Sequence, residues 1–527
     1  MQNASTDAAG QRAGRREWIG LAVLALPALL TALDIGALFL ALPHLSADLG
    51  TTTVQQLWIS DIYGFLIAGF LITMGTLGDR VGRRKLLLIG GAIFGVMSVL
   101  AAYSSSPEML IATRALLGIA GATLMPSTLA LISNMFHDVQ QRSAAIGILY
   151  SCLMVGSALG PVVGGLMLAR FWWGSVFLLG VPVMALLLVV GPMLLPEYRN
   201  PDAGRLDLIS VVLSLAAILP IIYGIKELAV HGWSVPRFVT LVAGLVIGVL
   251  FVQRQRRLRD PLVDVSLFGQ RSFTAVVTAL LVAGAAMAGT FLLVSQYIQT
   301  VLDYSAPAAG LLLAPTGLSI AAGALAAPAI GKRLGVRNTI AGGLAVAALG
   351  YVLIIPASSS GGLVGVVIGL AVVHFCVGPL LALGTGLVIG AVPPERAGSA
   401  ASISETSNYL GSTIGMAVLG TVAAAVYRQR MVDGVPADVP AGDARAAQET
   451  LAGAVDAAGR LAEPAASQLL RTARDAFTTG LNIAGVIGVV VFAVLVFVIL
   501  AGLREPAKTG ASAPAQEPEV RVPEPQD

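Results

Sequence analysis

The sequence predicts an all-α polytopic membrane protein with fourteen transmembrane helices, two six-helix repeats plus an inserted helix pair. Three observations carry this. Of 527 residues, 56% are hydrophobic and only 12% charged, with a mean hydropathy of +0.84; a soluble domain carries about 25% charged residues. Apolar runs long enough to cross a hydrocarbon core about 30 Å thick recur along the whole chain. Segments of the chain also repeat at an offset of 253 residues.

The apolar runs place spans at 18–42, 55–77, 86–104, 108–134, 142–168, 171–195, 207–228, 235–254, 272–300, 305–330, 338–357, 362–391, 398–425 and 480–503. The first follows a polar, basic segment and is too long for the apolar core of a signal peptide, so it reads as a retained helix. An even number of spans puts both termini on one face. That face carries 22 of the 32 basic residues, whereas the short loops opposite carry Arg170, Lys226 and Arg237. Basic residues stay on the cytoplasmic side, so both termini are expected there, in a multi-pass protein of a bacterial-type inner (plasma) membrane.

The expected organisation is a cytoplasmic tail (1–17), a six-helix bundle (18–195), an inserted pair of helices with linkers (196–270), a second six-helix bundle (271–503) and a disordered cytoplasmic tail (504–527). The second bundle includes an Ala-rich external loop, 426–479, with two candidate amphipathic helices at 441–462 and 465–477; a solvated hairpin is the plainer reading. The repeat aligns Gly78–Arg84 with Gly331–Arg337 and Pro126 with Pro379. Gly156–Gly160 resembles Gly411–Gly415 with a two-residue slip. Duplicated bundles imply a transporter with its site near the midplane. Spans seven and eight have no partner in the repeat.

Charged groups inside the spans are the candidate functional residues, because each is costly in hydrocarbon. Asp34 interrupts the apolar run 30–43. Asp61 lies in span two, Arg114 in span four and Glu405 in span thirteen. At 1.5 Å per residue, Asp34, Asp61 and Arg114 share one layer in the half of the membrane away from the termini. Glu405 lies nearer the terminal face. At the offset of 253, Asp34 meets Met287 and Asp61 meets Ala314. Asp34 and Asp61 are thus confined to one repeat, as expected if function rather than the fold demands them. His374 in span twelve is a further titratable candidate, or a hydrogen-bonded packing residue. Trp58, Tyr63, Phe39, Phe291, Tyr297 and Phe375 are candidates for an aromatic cation pocket, or plain packing residues. Cys152 and Cys376 lie in apolar spans and read as unpaired buried thiols.

Four motifs carry a family resemblance. Gly75-Thr-Leu-Gly-Asp79-Arg80-Val-Gly82-Arg83-Arg-Lys85, between spans two and three, closely resembles the loop motif of the major facilitator superfamily, which acts there as a conformational latch. Gly156, Gly160, Pro161 and Gly164 make a small-residue face bent by proline. They match the motif carried by that superfamily's antiporters, though helix packing alone would also account for them. Arg114 lies in a stretch similar to the span-four motif implicated in proton coupling, with Leu117 where many members have Gln; a structural ion pair is its plainer reading. The run through Asp34 to Ala41-Leu42-Pro43 is similar to the span-one motif of the fourteen-helix drug:proton antiporters, with Gly36 and Phe39 where Thr and Asn are usual.

Trp58-Ile-Ser-Asp61-Ile-Tyr63 resembles the quaternary-ammonium and multidrug exporter branch. Ser404 and Tyr409 stand where some members have further carboxylates, which weakens any capacity for divalent cations. The resemblance spans about residues 18–503.

What the resemblance implies is a proton-coupled antiporter that exports lipophilic cationic drugs or antiseptics by alternating access. Asp34 and Arg114 would couple protons, and Asp61, Glu405, Trp58, Tyr63, Phe39 and His374 would contact substrate. No cofactor is expected beyond the proton gradient, no metal, no nucleic acid and no catalytic constellation of an enzyme; the transporter is expected to be monomeric. A competing reading keeps the fold and exports an endogenous metabolite, lipid or neutral antibiotic. A third is a sensor or scaffold without flux.

Overall fold

The computed structural model describes residues 13–51, 53–199, 207–231, 234–258, 261–359, 361–393, 397–432, 434–436 and 439–503. The expected disordered tail 504–527 and most of the N-terminal tail lie outside these residues.

The first bundle comprises α1 (Arg15–Leu49), α2 (Thr53–Val81), α3 (Arg83–Ala102), α4 (Pro107–Met135), α5 (Val139–Arg170) and a sixth span built from α6 (Ser175–Leu178) and α7 (Gly180–Leu194). The inserted pair is α8 (Leu208–His231) and α9 (Val235–Gln255). The second bundle comprises α10 (Arg271–Gln296), α11 (Ala306–Leu334), α12 (Val336–Val352), α13 (Leu363–Pro379) continued by α14 (Thr385–Gly390), α15 (Ala397–Val432), and finally α18 (Ala465–Gly502). Between α15 and α18 lie α16 (Ala441–Glu449) and α17 (Leu451–Ala458). Each of the fourteen expected spans therefore coincides with a helix. Among the described residues twelve are long and apolar enough to cross a membrane, thirteen with the bent α5, and α12 is a shorter apolar helix.

Local sequence sets the helix ends. Ser106 caps α4, accepting from the Met109 amide with Pro107 in the first turn, and Asp138 caps α5 by accepting from the amides of Gln140 and Gln141. Between Ser157 and Val162 the axis of α5 bends by 44°, where Pro161 lacks the amide needed to continue the helical ladder.

Small residues fix the crossings. A Cβ on Gly156 would stand 2.2 Å from the Leu29 carbonyl oxygen, and one on Gly160 would stand 2.8 Å from that of Leu33. In the second bundle, Cβ atoms on Gly411 and Gly415 would meet the carbonyls of Leu281 and Ala285 at 2.0 and 1.9 Å. The α1–α5 and α10–α15 crossings are thus the same device used twice, as the sequence repeat implies.

Two expectations are corrected. The helix expected at 465–477 and the last span form one continuous helix. Residues 465–479 contain no helix breaker, and α18 runs unbroken from Ala465, burying Ala466, Leu469, Ala473 and Ala476 along one face. The segment 441–462 is not one helix but two. Thr450 adopts an extended backbone (φ −148°) and caps α17 through its hydroxyl, which accepts from the Gly453 amide. Nor is this hairpin simply solvated: Ala447, Ala454 and Ala457 are fully buried, and the Tyr427 hydroxyl donates to the Ala447 carbonyl at 2.7 Å.

The two bundles meet along α2–α15 and α5–α11. Near the terminal face the Ser399 amide donates to Asp79, at 3.3 Å. Deeper in, the Ser151 hydroxyl donates to the Ala321 carbonyl at 3.1 Å, and a Cβ on Gly147 would stand 2.7 Å from the Ala324 carbonyl oxygen. The linker after α9 joins in here. The buried Leu262 carbonyl accepts from Thr76 of the first bundle and from Ser399 of the second, at 3.0 and 3.2 Å. These contacts lie toward the face that carries the termini. Beyond the bend in α5, Leu159, Val162 and Leu166 are exposed. The cross-bundle contacts close the two bundles on the terminal face.

Candidate functional site

Arg114 projects from α4 into the first bundle and is 1% exposed; Asp34 on α1 is 7% exposed. Arg114 Nη1 donates to Asp34 Oδ2 at 2.7 Å and its Nε donates to the Ile59 carbonyl of α2 at 3.3 Å. The guanidinium carbon lies 4.5 Å from the centre of the Tyr63 ring and 5.9 Å from that of Phe177 on α6. Three elements therefore hold the cation of α4, by charge, by hydrogen bond and by two ring faces. Gly118, one turn along α4 from Arg114, makes this possible: a Cβ there would stand 2.6 Å from the Tyr63 carbonyl oxygen, so only glycine lets α2 and α4 approach this closely. Removing one partner of such a buried pair costs about 3–5 kcal/mol, because the other charge is left uncompensated.

Glu405 is held elsewhere. On α15 of the second bundle, its Oε1 accepts from the Tyr150 hydroxyl of α5 at 2.5 Å, and that hydroxyl lies 3.4 Å from Thr385 Oγ1 on α14. One turn further along α15, Tyr409 faces α2: a Cβ on Gly64 would stand 2.9 Å from the Tyr409 hydroxyl. Gly64 neighbours Tyr63, the ring beneath Arg114. The acid of the second bundle and the ion pair of the first are thus reached through adjacent positions of α15 and α2.

The other candidates are dispersed. The Tyr63 ring is covered by Arg114. Trp58 stacks on Tyr223 of the inserted α8, with centroids 6.4 Å apart and planes 15° apart, and meets Phe65 edge-on. It faces the inserted pair. Tyr297 is buried, its hydroxyl donating to the carbonyls of Ser358 and Gly361 at 2.8 and 2.7 Å, which ties down the loop between α12 and α13. His374 Nδ1 lies 2.8 Å from the Leu370 carbonyl oxygen and its ring is 6.4 Å from that of Phe291, while Phe375 and Phe291 are partly exposed. These rings do not form one cage. The side chains of Asp61, Phe39 and Pro161 lie outside the described residues.

The loop motif is built around a buried ion pair. Asp79 and Arg83 join one turn apart, Arg83 is fully buried and its Nη1 also donates to the Gly75 carbonyl. Gly82 takes φ 116° between α2 and α3, a conformation open to glycine. Glu197 accepts from the amides of Arg84 and Lys85, both at 3.2 Å, capping the exposed amides of α3. Arg80 lies in the last turn of α2.

Sequence reasoning placed Asp34 and Arg114 at one depth, and the two meet. It did not single out Tyr150, Thr385 or Phe177. Tyr150 left one signal, as the lone tyrosine of span five, since a buried tyrosine hydroxyl needs a partner. Thr385 and Phe177 left none, because their roles depend on which helices become neighbours.

Comparison with known proteins agrees with the architecture. The sequence matches the Major Facilitator Superfamily over residues 24–416. It is 40% identical over 474 residues to the multidrug efflux pump LfrA of Mycolicibacterium smegmatis, covering 89% of this chain and 93% of that one. It is 32% identical over 471 residues to the methyl viologen resistance protein SmvA of Salmonella typhimurium, covering 88% and 93%. The human organic anion transporter MFSD10 shares the fold, with a TM-score of 0.58 at 15% identity over 92% of this chain and 99% of that chain. The chain is a multi-pass membrane transporter, not an enzyme, and belongs to the major facilitator superfamily.

Proposed function

We propose that this chain is a proton-coupled antiporter exporting lipophilic cationic drugs across the plasma membrane. The observation that carries the reading is the buried Asp34–Arg114 pair. An acid held in the membrane by one cation has two stable states: ionised and paired, or protonated with the pair dissolved. A proton arriving at Asp34 releases Arg114, which keeps its contacts with Tyr63 and the Ile59 carbonyl. The pair links α1 to α4, so its loss changes the packing of the first bundle. The excess of basic residues on the terminal face supports a cytoplasmic location for it, and on this reading the closed face is the cytoplasmic one. Protons then enter from outside, and Glu405 offers a carboxylate to a cation from within once the bundles part on the cytoplasmic side. Two similar proteins are named for multidrug efflux and for resistance to methyl viologen, itself a dication.

The test is efflux of tetraphenylphosphonium, a lipophilic cation, from energised vesicles before and after the proton gradient is collapsed. Gradient-dependent efflux that disappears in Asp34→Asn is expected; efflux indifferent to the gradient overturns the reading. The second reading, export of a neutral compound, is favoured by the engaged aromatics: Tyr63, Trp58 and Tyr297 each already contact protein groups. Gradient-driven efflux that competes with neutral but not cationic compounds would select it.

A further inference from the structure

Tyr150 is a residue of the first bundle whose hydroxyl is committed to the second. It is buried, 3% exposed, and donates to Glu405 on α15 while lying beside Thr385 on α14. Its neighbour Ser151 crosses the same boundary to Ala321 on α11. These bonds exist because α5 is pressed against the second bundle on the terminal side. Parting the bundles there pulls α5 away from α14 and α15, so the Tyr150–Glu405 bond cannot survive the opening.

We propose that Tyr150 is a positioning residue for cargo release: as the terminal face closes, its hydroxyl takes the carboxylate oxygen of Glu405 that a cation holds while that face is open. This rests on the reading of Glu405 as a cation anchor. The carboxylate trades one partner for another in each half-cycle and is never left bare, which a buried acid tolerates poorly. Closure stabilised by the Tyr150 bond and binding stabilised by the cation are mutually exclusive, so the cargo is displaced by the same movement that seals the path behind it. The hydroxyl, not the ring, carries this role.

The experiment uses the full chain in membranes with Cys152→Ala and Cys376→Ala, and Ile146→Cys as reporter. Ile146 is fully buried on α5 in the closed face, opposite Gly386. Alkylation of that thiol by a membrane-permeant maleimide reads opening of the terminal face without reference to any cargo. Tyr150→Phe is expected to raise the alkylation rate on the order of tenfold, the factor set by losing a hydrogen bond to a charged group. Glu405→Ala is expected to raise it equally, and the double variant no further, because both remove one bond. Rates that multiply in the double variant, or an unchanged rate in Tyr150→Phe, overturn the proposal.

Glu405→Gln, which keeps an acceptor for Tyr150 but no charge, is expected to raise alkylation clearly less than Glu405→Ala does while abolishing tetraphenylphosphonium efflux. It guards against misfolding of the other variants. Equal alkylation in Glu405→Gln and Glu405→Ala counts against the proposal. In efflux, Tyr150→Phe is expected to lower kcat and lower KM together, since the open, binding-competent state gains population; a fall in kcat at constant KM contradicts it. If alkylation behaves as expected but no cation is exported, the cargo reading fails and the Tyr150–Glu405 closure stands.

Discussion

The turn between α2 and α3 and the turn between α11 and α12 are the same structure in the two repeats, and only one of them carries charge chemistry. Both pass through a glycine at positive φ, Gly82 at 116° and Gly335 at 79°. In both, the second residue after that glycine is an arginine that caps the end of its bundle's last helix. Arg84 donates to the carbonyls of Pro192 and Leu195 at 3.2 and 3.0 Å, and Arg337 donates to the Leu500 carbonyl at 2.8 Å. These shared features are what the fold requires. The difference lies at Asp79, whose counterpart is Lys332. Asp79 pairs with the buried Arg83 and reaches across to Ser399 of the other bundle. Lys332 and its neighbour Arg333 are both exposed. The same asymmetry holds deeper in the membrane, where Asp34 pairs with Arg114 and the equivalent position in the second repeat is Met287. At these two places the first repeat carries an ion pair that the second lacks, while the second carries its own buried acid, Glu405, at a different position.

That asymmetry is broken most directly at Asp34. Asp34→Asn leaves Arg114 charged and buried, and is expected to cost about 3–5 kcal/mol of stability together with all gradient-driven efflux. Asp34→Asn combined with Arg114→Met removes both charges and is expected to recover thermal stability but not efflux. Met287→Leu, at the equivalent place in the second repeat, is expected to change neither. Melting temperature in detergent and vesicle efflux, measured on the same preparations, separate these outcomes; normal efflux in the double variant would move the proton site elsewhere.

The shared device should fail equally in both repeats. Gly156→Val and Gly415→Val each drive side-chain atoms into a carbonyl that a lone Cβ would meet at 2.2 and 1.9 Å. Overpacking of this kind costs roughly 1–3 kcal/mol where the neighbours can move, and here the obstacles are backbone. Both variants are expected to lose most of the monodisperse fraction on size-exclusion chromatography. Tolerance of one but not the other would show that the two crossings are not equivalent.

The charged latch should fail in one repeat only. Asp79→Asn deprives Arg83 of its counter-charge and Ser399 of a charged acceptor. Efflux is expected to fall on the order of tenfold, as for the loss of a hydrogen bond to a charged group, with the protein still folded. Lys332→Asn is expected to leave efflux within a factor of about two, as exposed charges contribute little. Equal losses would mean that the turn, rather than its acid, carries the effect.

Much of this was legible in the sequence because the membrane simplifies the problem. Apolar length marks each span, basic residues mark the face of the termini, and an acid such as Asp34 stands out against hydrocarbon. The repeat offset identified which glycines recur and which acids do not. What escaped notice depends on contacts between distant helices. Tyr150 looked like one more apolar-span aromatic until α15 brought Glu405 to its hydroxyl. Trp58 looked like a pocket residue because the sequence does not say that α8 packs beside α2. The inserted pair left no repeat by which to place it. Its role became visible only through Leu262, whose single carbonyl joins both bundles.

The smallest effect is expected where that inserted pair is tied to itself. Asp207, ahead of α8, accepts two hydrogen bonds from Arg254 of α9, at 2.8 and 3.1 Å, and one from Ser210. Next to Arg254, Gln255 accepts from the Leu262 amide at 2.7 Å, so the fork steadies the residue that positions the linker. The Arg254 fork holds the Asp207 carboxyl well below its ordinary value, at about 2. A depressed carboxyl contributes stability that is complete above its unfolded pKa, near 3.9, and is lost as pH falls through the folded value. Asp207→Asn is therefore expected to lower the melting temperature slightly and by the same amount across roughly pH 5–8, with the difference from the unsubstituted protein shrinking below about pH 4. Efflux is expected to change less than in Asp79→Asn, because the fork lies outside both bundles and acts on the latch only through Gln255 and Leu262. A loss of efflux as large as that of Asp79→Asn would promote the inserted pair from a support of the closed face to a part of the latch.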